Sequence, residues 1–545
     1  MIQNPILSGF YPDPSLCRVG EDFYLVNSTF AYFPGLPVFH SKDLVTWKQI
    51  GNAIDRKEQL DFSGDGTSRG LFAPTIRHHN GVFYIVCTHI DKIGNFVITA
   101  LDPAGPWSNP VVIGAPGIDP TLFFDDDGSV WYVGNRPAPE GEKYSGNWEV
   151  WIQEVDISLI LDKTGRSSME NSSGKSEYKT HAKKTGEILI GSSKGIWRGA
   201  LRECIWPEGP HIYKINGWYY LLIAEGGTGP DHAVSVARCK TLDGVWEGKK
   251  SNPVVTHRHL GNLADIVNVG HADLFSDPKG SWWMVLLASR PYGSRPDNKV
   301  SNLGRETFIV PIRWQDEWPF IGCKSGMIDA EYPSFMEADE CRTADDVIGC
   351  DHFTMDALPL NYLQLRNPHD KSYSLAAHKG CLRLFTCGSS LRTSGITNAV
   401  FRRQQHFSWQ LSTHVSFNPS SDDEKAGLVL YQNENYQYRL EAGIEGGKRK
   451  IELIKAAGAS DETIARVFTD FTDLYLKVCA RKQSLSFYYG NDKTSVSLLA
   501  DNCDGSILST EKAGGFVGTV LGMFASGKAA SQNFADFHWF EYIPL

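Results

Sequence analysis

Three acidic residues stand at matching places in a repeated pattern, and their types suit acid–base chemistry on a sugar bond. Asp13 lies in YPDPS, Asp119 in IDPT and Glu208 in PEGPH, each at the start of a short strand-like run. Cleavage of a glycosidic bond needs one carboxylic acid to protonate the leaving oxygen and a second carboxylate as base or nucleophile. A third carboxylate nearby raises the pKa of the acid, which then stays protonated near neutral pH.

Asp13 is the most constrained of the three because it stands between Pro12 and Pro14. Proline fixes its own φ and favours extended backbone in the residue before it. This rigidity predicts an extended Asp13 that points at a reacting centre and not at water.

The elements that carry these residues form one recurring hairpin: a short strand, a tight turn and an aromatic-rich strand. The second strands are GEDFYLV (20–26), NGVFYIV (80–86), DGSVWYV (127–133), NGWYYLL (216–222) and KGSWWMV (279–285). Asn-Gly and Asp-Gly pairs are hairpin turn signals. Four-stranded repeats of about 40–60 residues are typical of propeller blades.

The predicted fold is all-β: a five-bladed β-propeller over residues 1–326, a linker over 327–350 and a C-terminal β-sandwich over 351–545. Runs such as AGLVLYQNENYQYRLEAG, with long alternating strands and polar turns, indicate the sandwich. A generic β-sandwich for the first part is the alternative, but it would not explain five similar hairpins. Residues 163–184, rich in Ser and Lys, are interpreted as a solvated insertion.

In a propeller the innermost strands line the axis, so the residues that begin them converge at one end. These residues are Asp13, the pair Phe72 and Ala73, Asp119, Glu208 and His271. The sequence therefore predicts a funnel with three carboxylates and a histidine. A calcium ion held by these carboxylates, His271 and water molecules is the competing interpretation.

Bulk composition excludes several function classes. The net charge is −10 with no basic patch, so no nucleic-acid partner is expected. No run of about 18 apolar residues indicates a membrane helix, and MIQNPILSGF has no signal-peptide pattern. Eleven scattered cysteines without CxxC pairs predict free thiols. A cytoplasmic location is therefore expected.

The chain resembles glycoside hydrolase family 43, in its two-domain β-xylosidase and α-L-arabinofuranosidase branch. The resemblance rests on NPILSGFYPDPS, LFAPTIRHHNGVFY, GIDPTLFFDDDG, WPEGPHIYKINGWYY, VGHADL and NLGRETF, with LPLNYLQLRNP and ADFHWFEY in the second part. It covers almost the whole length. It implies an inverting, five-bladed propeller enzyme without a redox cofactor, acting on oligosaccharides.

The resemblance also implies roles for the site residues. Asp13 would be the general base, Asp119 would orient the acid and raise its pKa, and Glu208 would be the general acid. Substrate contacts would come from Phe30, Phe72, Ala73, Thr228, His271 and Arg305. Glu306 would support Arg305, and His271 marks the place where some relatives hold water or calcium.

Several residues depart from the pattern of this branch. Phe72 replaces a usual Trp, Pro230 replaces a common aromatic residue, and Val520 stands where a Phe reaching into the pocket is expected. These departures concern the choice of sugar and not the reaction.

The predicted activity is exo release of single pentoses from xylan-derived oligosaccharides, with the sandwich closing one side of the pocket. Three alternatives stay open: an enzyme mainly active on α-L-arabinofuranosides, a retaining fructose-releasing propeller enzyme, and a non-catalytic carbohydrate-binding propeller. Assembly into a homo-oligomer also stays open.

Overall fold

The computed structural model describes residues 1–163, 188–201, 203–261, 264–293, 295–322, 326–335, 349–529 and 531–545. Of the insertion predicted over residues 163–184, all but the first residue lies outside these ranges. The described chain is almost entirely β-structure. Its α-helices are Ile157–Lys163 and Thr510–Ala513, and short 3-10 turns occur at Arg258–Leu260, Pro296–Asn298 and Gly505–Leu508. Among the described helices, none combines the length and the apolar character that a membrane crossing requires.

Five antiparallel sheets follow one another through the first part of the described chain. Sheet I contains Ser15–Val19, Asp22–Val26, Gly35–Ser41 and Lys48–Ile54. Sheet II contains Thr75–His79, Val82–His89, Gly94–Ala100 and Val111–Val112. Sheet III contains Thr121–Phe124, Val130–Pro137, Trp148–Val155 and Leu189–Trp197. Sheet IV contains Glu208–Ile215, Trp218–Glu225, Ala233–Cys239, Glu247–Gly248 and Val255–Thr256, and sheet V contains Val267–Ser276, Trp282–Ser289, Glu306–Gln315 and Trp318–Ile321.

All five predicted hairpins are confirmed as the first two strands of these sheets. In sheet I, for example, Ser15 pairs with Val26 and Val19 with Asp22, and the other four sheets begin with the same antiparallel pairing. The turn glycines at positions 20, 81, 128, 217 and 280 all have positive φ, between 64° and 88°. Glycine adopts this conformation without a steric cost, which is why a glycine at these positions indicates a turn in the sequence.

The hydrophobic core lies between neighbouring sheets. One buried cluster joins sheets I and II, a second joins II and III, and a third joins III and IV. A fourth cluster joins sheet IV to sheet V and sheet V back to sheet I, with Leu222, Leu286 and Leu25 among its members. The last sheet therefore packs against the first. The first strand of each sheet, called here its inner strand, contacts the first strand of the next sheet, and the first strand of sheet V contacts that of sheet I.

A buried polar network links these inner strands. Arg77 from sheet II donates to Asp273 of sheet V at 2.8 and 3.1 Å and to His211 Nδ1 of sheet IV at 2.9 Å. Asp273 also accepts from Ser15 of sheet I and from Tyr213 of sheet IV, both at 2.6 Å. Strands from four sheets thus share one charge pair.

The second part contains two large sheets that enclose a single buried cluster. One sheet has the strand order Tyr373–Ser374, Leu382–Phe385, Phe534–Pro544, Ser408–Phe417, Asp473–Arg481, Ser484–Gly490 and Val496–Asp504, with Gly349–Asp351 also paired to Phe534–Pro544. The other has the order Asn398–Arg403, Val520–Ser526, Lys425–Asn433, Tyr436–Glu445, Lys448–Ala457 and Asp461–Phe468. This is the sandwich that the alternating pattern predicted.

The two parts are joined by more than the chain between them. Tyr32–Phe33 pairs with Gln364–Leu365, and Ile2–Gln3 pairs with Glu331–Tyr332. A buried apolar cluster combines Phe10 and Phe30 of the first part with residues such as Val520 of the second. The exact boundaries at 326 and 351 stay a prediction, because residues 336–348 lie outside the described chain. The nine described cysteines are all free thiols.

Candidate active site

The candidate site is built on an unusual backbone conformation in, or just before, the first strands of sheets I, III and V. Asp13, Asp119 and His271 have φ of 52°, 52° and 50°. The expectation of an extended Asp13 between two prolines is therefore wrong: Pro14 did not prevent a positive φ. Non-glycine residues in this region cost about 1–3 kcal/mol each and concentrate at functional sites.

The Asp13 carboxylate is buried and surrounded by donors and positive charge. Ser28 Oγ donates to Oδ2 at 2.6 Å, and Arg305 Nη1 donates to Oδ1 at 2.9 Å. Burial alone would raise the pKa of Asp13, but the charge of Arg305 and the hydrogen bond from Ser28 help to lower it below the ordinary value. Asp13 is therefore ionised at neutral pH.

The other two carboxyls behave in the opposite way. One oxygen from Asp119, one from Glu208 and a ring nitrogen of His271 lie within 4.8 Å of one another. Burial and, after it, the negative charge of Asp13 raise the pKa of Glu208 to about 7. Burial and the charges of Glu208 and Asp13 hold the pKa of Asp119 well above its ordinary value. The pair therefore retains a proton near neutral pH.

His271 packs closely against Gly209. A Cβ at Gly209, which follows the acid, would lie 3.0 Å from the imidazole of His271. Burial lowers the pKa of His271, so its ring is neutral at neutral pH. A neutral ring beside Asp119 and Glu208 can donate or accept a hydrogen bond without placing a full charge in the site.

Three phenylalanines form an aromatic wall of the pocket. The ring centroids of Phe30 and Phe72 are 5.5 Å apart, those of Phe30 and Phe516 are 5.9 Å apart, and those of Phe72 and Phe516 are 5.8 Å apart. Phe516 comes from the sandwich, between Thr510–Ala513 and Val520–Ser526. The expectation that the pocket lacks a sandwich phenylalanine, with Val520 in its place, is wrong, because Phe516 supplies the ring and Val520 lies fully buried in the cluster behind it.

Arg305 contacts both the aromatic wall and Asp13, the predicted base. Besides Asp13, its guanidinium donates to Thr228 Oγ1 at 3.0 Å and to the backbone oxygen of Phe516 at 3.3 Å. Glu306 does not support it, contrary to the expectation. The Glu306 carboxylate instead accepts from Gly9 N at 2.9 Å and pairs with Arg290 at 2.7 Å.

The nine residues singled out from the sequence all line one pocket: Asp13, Phe30, Phe72, Ala73, Asp119, Glu208, Thr228, His271 and Arg305. Ile118 and Phe516 complete the lining. Sequence reasoning missed both, and it missed Ser28 as a partner of the base. Ile118 precedes Asp119 directly, so the IDPT motif carried a signal for it. No local signal marks Phe516.

The residues around His271 do not fit calcium. Calcium takes six to eight oxygen ligands and favours ionised carboxylates. The cluster offers one oxygen from each of two carboxyls whose raised pKa values favour the protonated form, plus a ring nitrogen. The calcium interpretation left open by the sequence therefore finds no suitable donor set among the described residues.

The sequence matches two known protein-family models, one in each part of the chain. The family model described as "Glycosyl hydrolases family 43" matches residues 2–319. The model described as "Beta xylosidase C-terminal Concanavalin A-like domain" matches residues 350–543. The chain belongs to glycoside hydrolase family 43. It is therefore an enzyme of the glycosidase class, and its two parts are the propeller and the Concanavalin A-like sandwich of that family.

Full-length relatives support the assignment. A xylosidase/arabinosidase from Butyrivibrio fibrisolvens is 41% identical, with 98% of each chain covered. A non-reducing end alpha-L-arabinofuranosidase from Bacteroides ovatus is 34% identical over 100% of this chain and 95% of the relative. Among solved structures, a xylan beta-1,4-xylosidase from Bacillus halodurans matches with a TM-score of 0.87 at 30% identity, covering 100% of both chains.

Proposed function

We propose that this family 43 enzyme releases single pentoses from the non-reducing ends of β-1,4-linked xylo-oligosaccharides, with inversion at the anomeric carbon. The observation that carries the proposal is the contrast between two carboxyls of one pocket. The pKa of Asp13 is lowered and that of Glu208 is raised to about 7. This pairing supplies an ionised base and a protonated acid at the same pH, as an inverting mechanism requires.

The proposed mechanism follows from these protonation states. Asp13 accepts a proton from a water molecule as the water attacks C1 of the bound pentose. Glu208 gives its proton to the departing glycosidic oxygen, and the bond from C1 to that oxygen breaks. Glu208 is more exposed than the buried Asp13 and Asp119, which suits contact with a leaving group that extends out of the pocket.

The neighbouring residues have supporting roles in this proposal. Asp119 holds Glu208 in place and helps to keep it protonated. Arg305 and Thr228 bind sugar hydroxyls, and Phe30, Phe72 and Phe516 pack against the ring carbons. No step needs a metal or a redox cofactor.

We further propose that sheets I to V are the five blades of a single propeller. The packing of each sheet on the next, and of sheet V on sheet I, supports this arrangement. The position of Phe516 supports the proposal that the sandwich closes one side of the pocket. A closed side favours exo cleavage of short chains.

A preference for α-L-arabinofuranosides is the second candidate. The names of the Butyrivibrio and Bacteroides relatives both include arabinosidase or arabinofuranosidase activity. Both candidates use the same acid and base. A non-catalytic binding propeller is less well supported, because a site that only binds sugar gains nothing from holding two carboxyls in opposite protonation states.

A paired assay tests the function. Wild type and Asp13→Asn are compared on xylobiose, p-nitrophenyl β-D-xylopyranoside and p-nitrophenyl α-L-arabinofuranoside. We expect wild-type turnover of a pentoside and a loss of roughly 100-fold or more in Asp13→Asn. The ratio of the two wild-type nitrophenyl rates identifies the preferred sugar. Equal activity of the two proteins would contradict the role of Asp13.

A further inference from the structure

A second cavity adjoins the catalytic pocket on the far side of Arg305. It encloses about 430 Å³ and lies between the loops of sheet V and the sandwich segment that carries Glu511. This volume is in the range of about 300–1,000 Å³ usual for small-molecule sites. Arg305 and Thr228 line both cavities, while Asp13, Asp119 and Glu208 line only the first.

The lining of this cavity suits a neutral ligand with many hydroxyl groups. Asn268, Ser289, Lys299 and Glu511 supply donors and acceptors, and Val267 is among the apolar wall residues. Lys299 is paired with Asp265 and Arg305 with Asp13, and Glu511 accepts from Ser301 N, so the lining favours no strongly charged ligand. An uncharged polyol could donate to Glu511 and accept from Lys299 or Arg305.

We propose that this cavity is a second, non-catalytic binding site for a free pentose, the product released in the adjoining catalytic pocket. The proposal rests on the proposed function. None of the three carboxyls lines the cavity, so a sugar bound there is not cleaved and can be present together with substrate. The sugar contacts Arg305, whose Nη1 also donates to Asp13. A sugar hydroxyl that accepts from the Arg305 guanidinium competes with Asp13 for this donor, and turnover falls.

Product inhibition by D-xylose tests this second site. Initial rates on p-nitrophenyl β-D-xylopyranoside are measured while substrate and D-xylose are varied. Binding in the catalytic pocket alone raises KM and leaves kcat unchanged. With a second site we expect saturating D-xylose also to lower kcat, by roughly fivefold if the coupling is at the low end of the usual range.

Val267→Phe fills the proposed site, and Val82→Phe is its matched control. Both valines are half-buried first residues of strands, and only Val267 lines the cavity. We expect Val267→Phe to lose the effect of D-xylose on kcat and to keep the effect on KM. Val82→Phe should keep both. Lys299→Met, which removes a lining donor without adding bulk, should weaken the effect on kcat.

Two results would overturn the proposal: purely competitive inhibition of the wild type, or an effect on kcat that persists in Val267→Phe. If the wild type cleaves no pentoside, the proposed function fails separately. Calorimetric titration with D-xylose then decides the second site, which requires binding to wild type that Val267→Phe loses and Val82→Phe retains. Equal binding by all three proteins would reject it.

Discussion

At the scale of single residues, catalysis depends on two carboxyls of one pocket holding opposite protonation states. Asp13 is the base only while it is ionised, so the rate rises as pH rises through its lowered pKa. Glu208 is the acid only while it is protonated, so the rate falls as pH rises through about 7. We expect a bell-shaped pH profile of kcat/KM with these two limbs. A rate that keeps rising above pH 8 would contradict the role of Glu208.

Ser28 controls the acidic limb of that profile. Its hydroxyl donates to Asp13 at 2.6 Å, and a hydrogen bond to the ionised form lowers a carboxyl pKa. Ser28→Ala should therefore raise the pKa of Asp13 and move the acidic limb upward by roughly one pH unit. The alkaline limb should not move.

A matched control is available at the surface. Ser158 Oγ donates to Asp156 at 2.6 Å outside the pocket, and Ser158→Ala should leave both limbs in place. An unchanged acidic limb in Ser28→Ala would show that Asp13 is not the titrating base.

Asp119 and Glu208 titrate as a pair, and this gives a separate prediction. The two carboxyls share a proton, and loss of that proton leaves two like charges side by side. Replacement of the Asp119 carboxyl by an amide removes this repulsion and makes the proton on Glu208 easier to lose. Asp119→Asn should lower kcat and shift the alkaline limb of kcat/KM downward. Measurement of the pH profile at saturating and at low substrate separates this shift from a change in binding. An alkaline limb that stays near pH 7 would reject the pairing.

The repeat located some of the site residues and missed others, and the difference has a physical reason. Asp13 and Asp119 lie two residues before the first strands of their sheets, Glu208 begins one, and local turn and strand signals reveal such positions. The same pattern predicts a strand start at His271, which lies instead inside Val267–Ser276. The assigned roles of these four residues and those of Arg305 and Thr228 came from the family resemblance. Phe516 lies more than 200 residues further along the chain than Arg305 and reaches the pocket only through packing between domains.

At the scale of elements, the inner strands are held together by the pair of Arg77 and Asp273. Arg77→Met would leave the Asp273 carboxylate buried beside Ser15 and Tyr213 without a counter-charge. Breaking a buried pair in this way costs about 3–5 kcal/mol. We expect a loss of that size in the free energy of unfolding, measured by urea denaturation.

The double variant Arg77→Met with Asp273→Leu tests whether the cost comes from the unpaired charge. Removal of both partners should restore part of the lost stability. If Asp273→Leu lowered the free energy of unfolding as much in Arg77→Met as it does in the wild type, the pairing would be contradicted. The turn glycines made the hairpins predictable, but this pair joins strands almost 200 residues apart, and no local pattern reveals it.

At the scale of the whole molecule, the sandwich contributes directly to the pocket of the propeller. Phe516 packs against Phe30 and Phe72, and its backbone oxygen accepts from Arg305. Phe516→Ala should raise KM for xylobiose by roughly tenfold to 100-fold, because burial of an aromatic ring stabilises binding by about 1.5–3 kcal/mol. The loss should be smaller in kcat, since neither Asp13 nor Glu208 bonds to this side chain.

Phe468→Ala is a suitable control because Phe468 is an exposed phenylalanine of the same sandwich, 52% accessible. It should leave both constants unchanged. Unaltered kinetics in Phe516→Ala would show that the sandwich only supports the propeller from outside. The geometry of the pocket gives no information on homo-oligomer formation or on a cytoplasmic location. Both stay predictions.

The most direct test of the central claim is the configuration of the sugar at the moment of release. Proton NMR follows the anomeric signals while wild-type enzyme cleaves p-nitrophenyl β-D-xylopyranoside, before mutarotation equilibrates them. With Asp13 activating water and Glu208 protonating the leaving oxygen, α-xylose should appear first. Early accumulation of β-xylose would mean that a carboxylate attacks C1 directly, and it would contradict the assignment of Asp13 as the base.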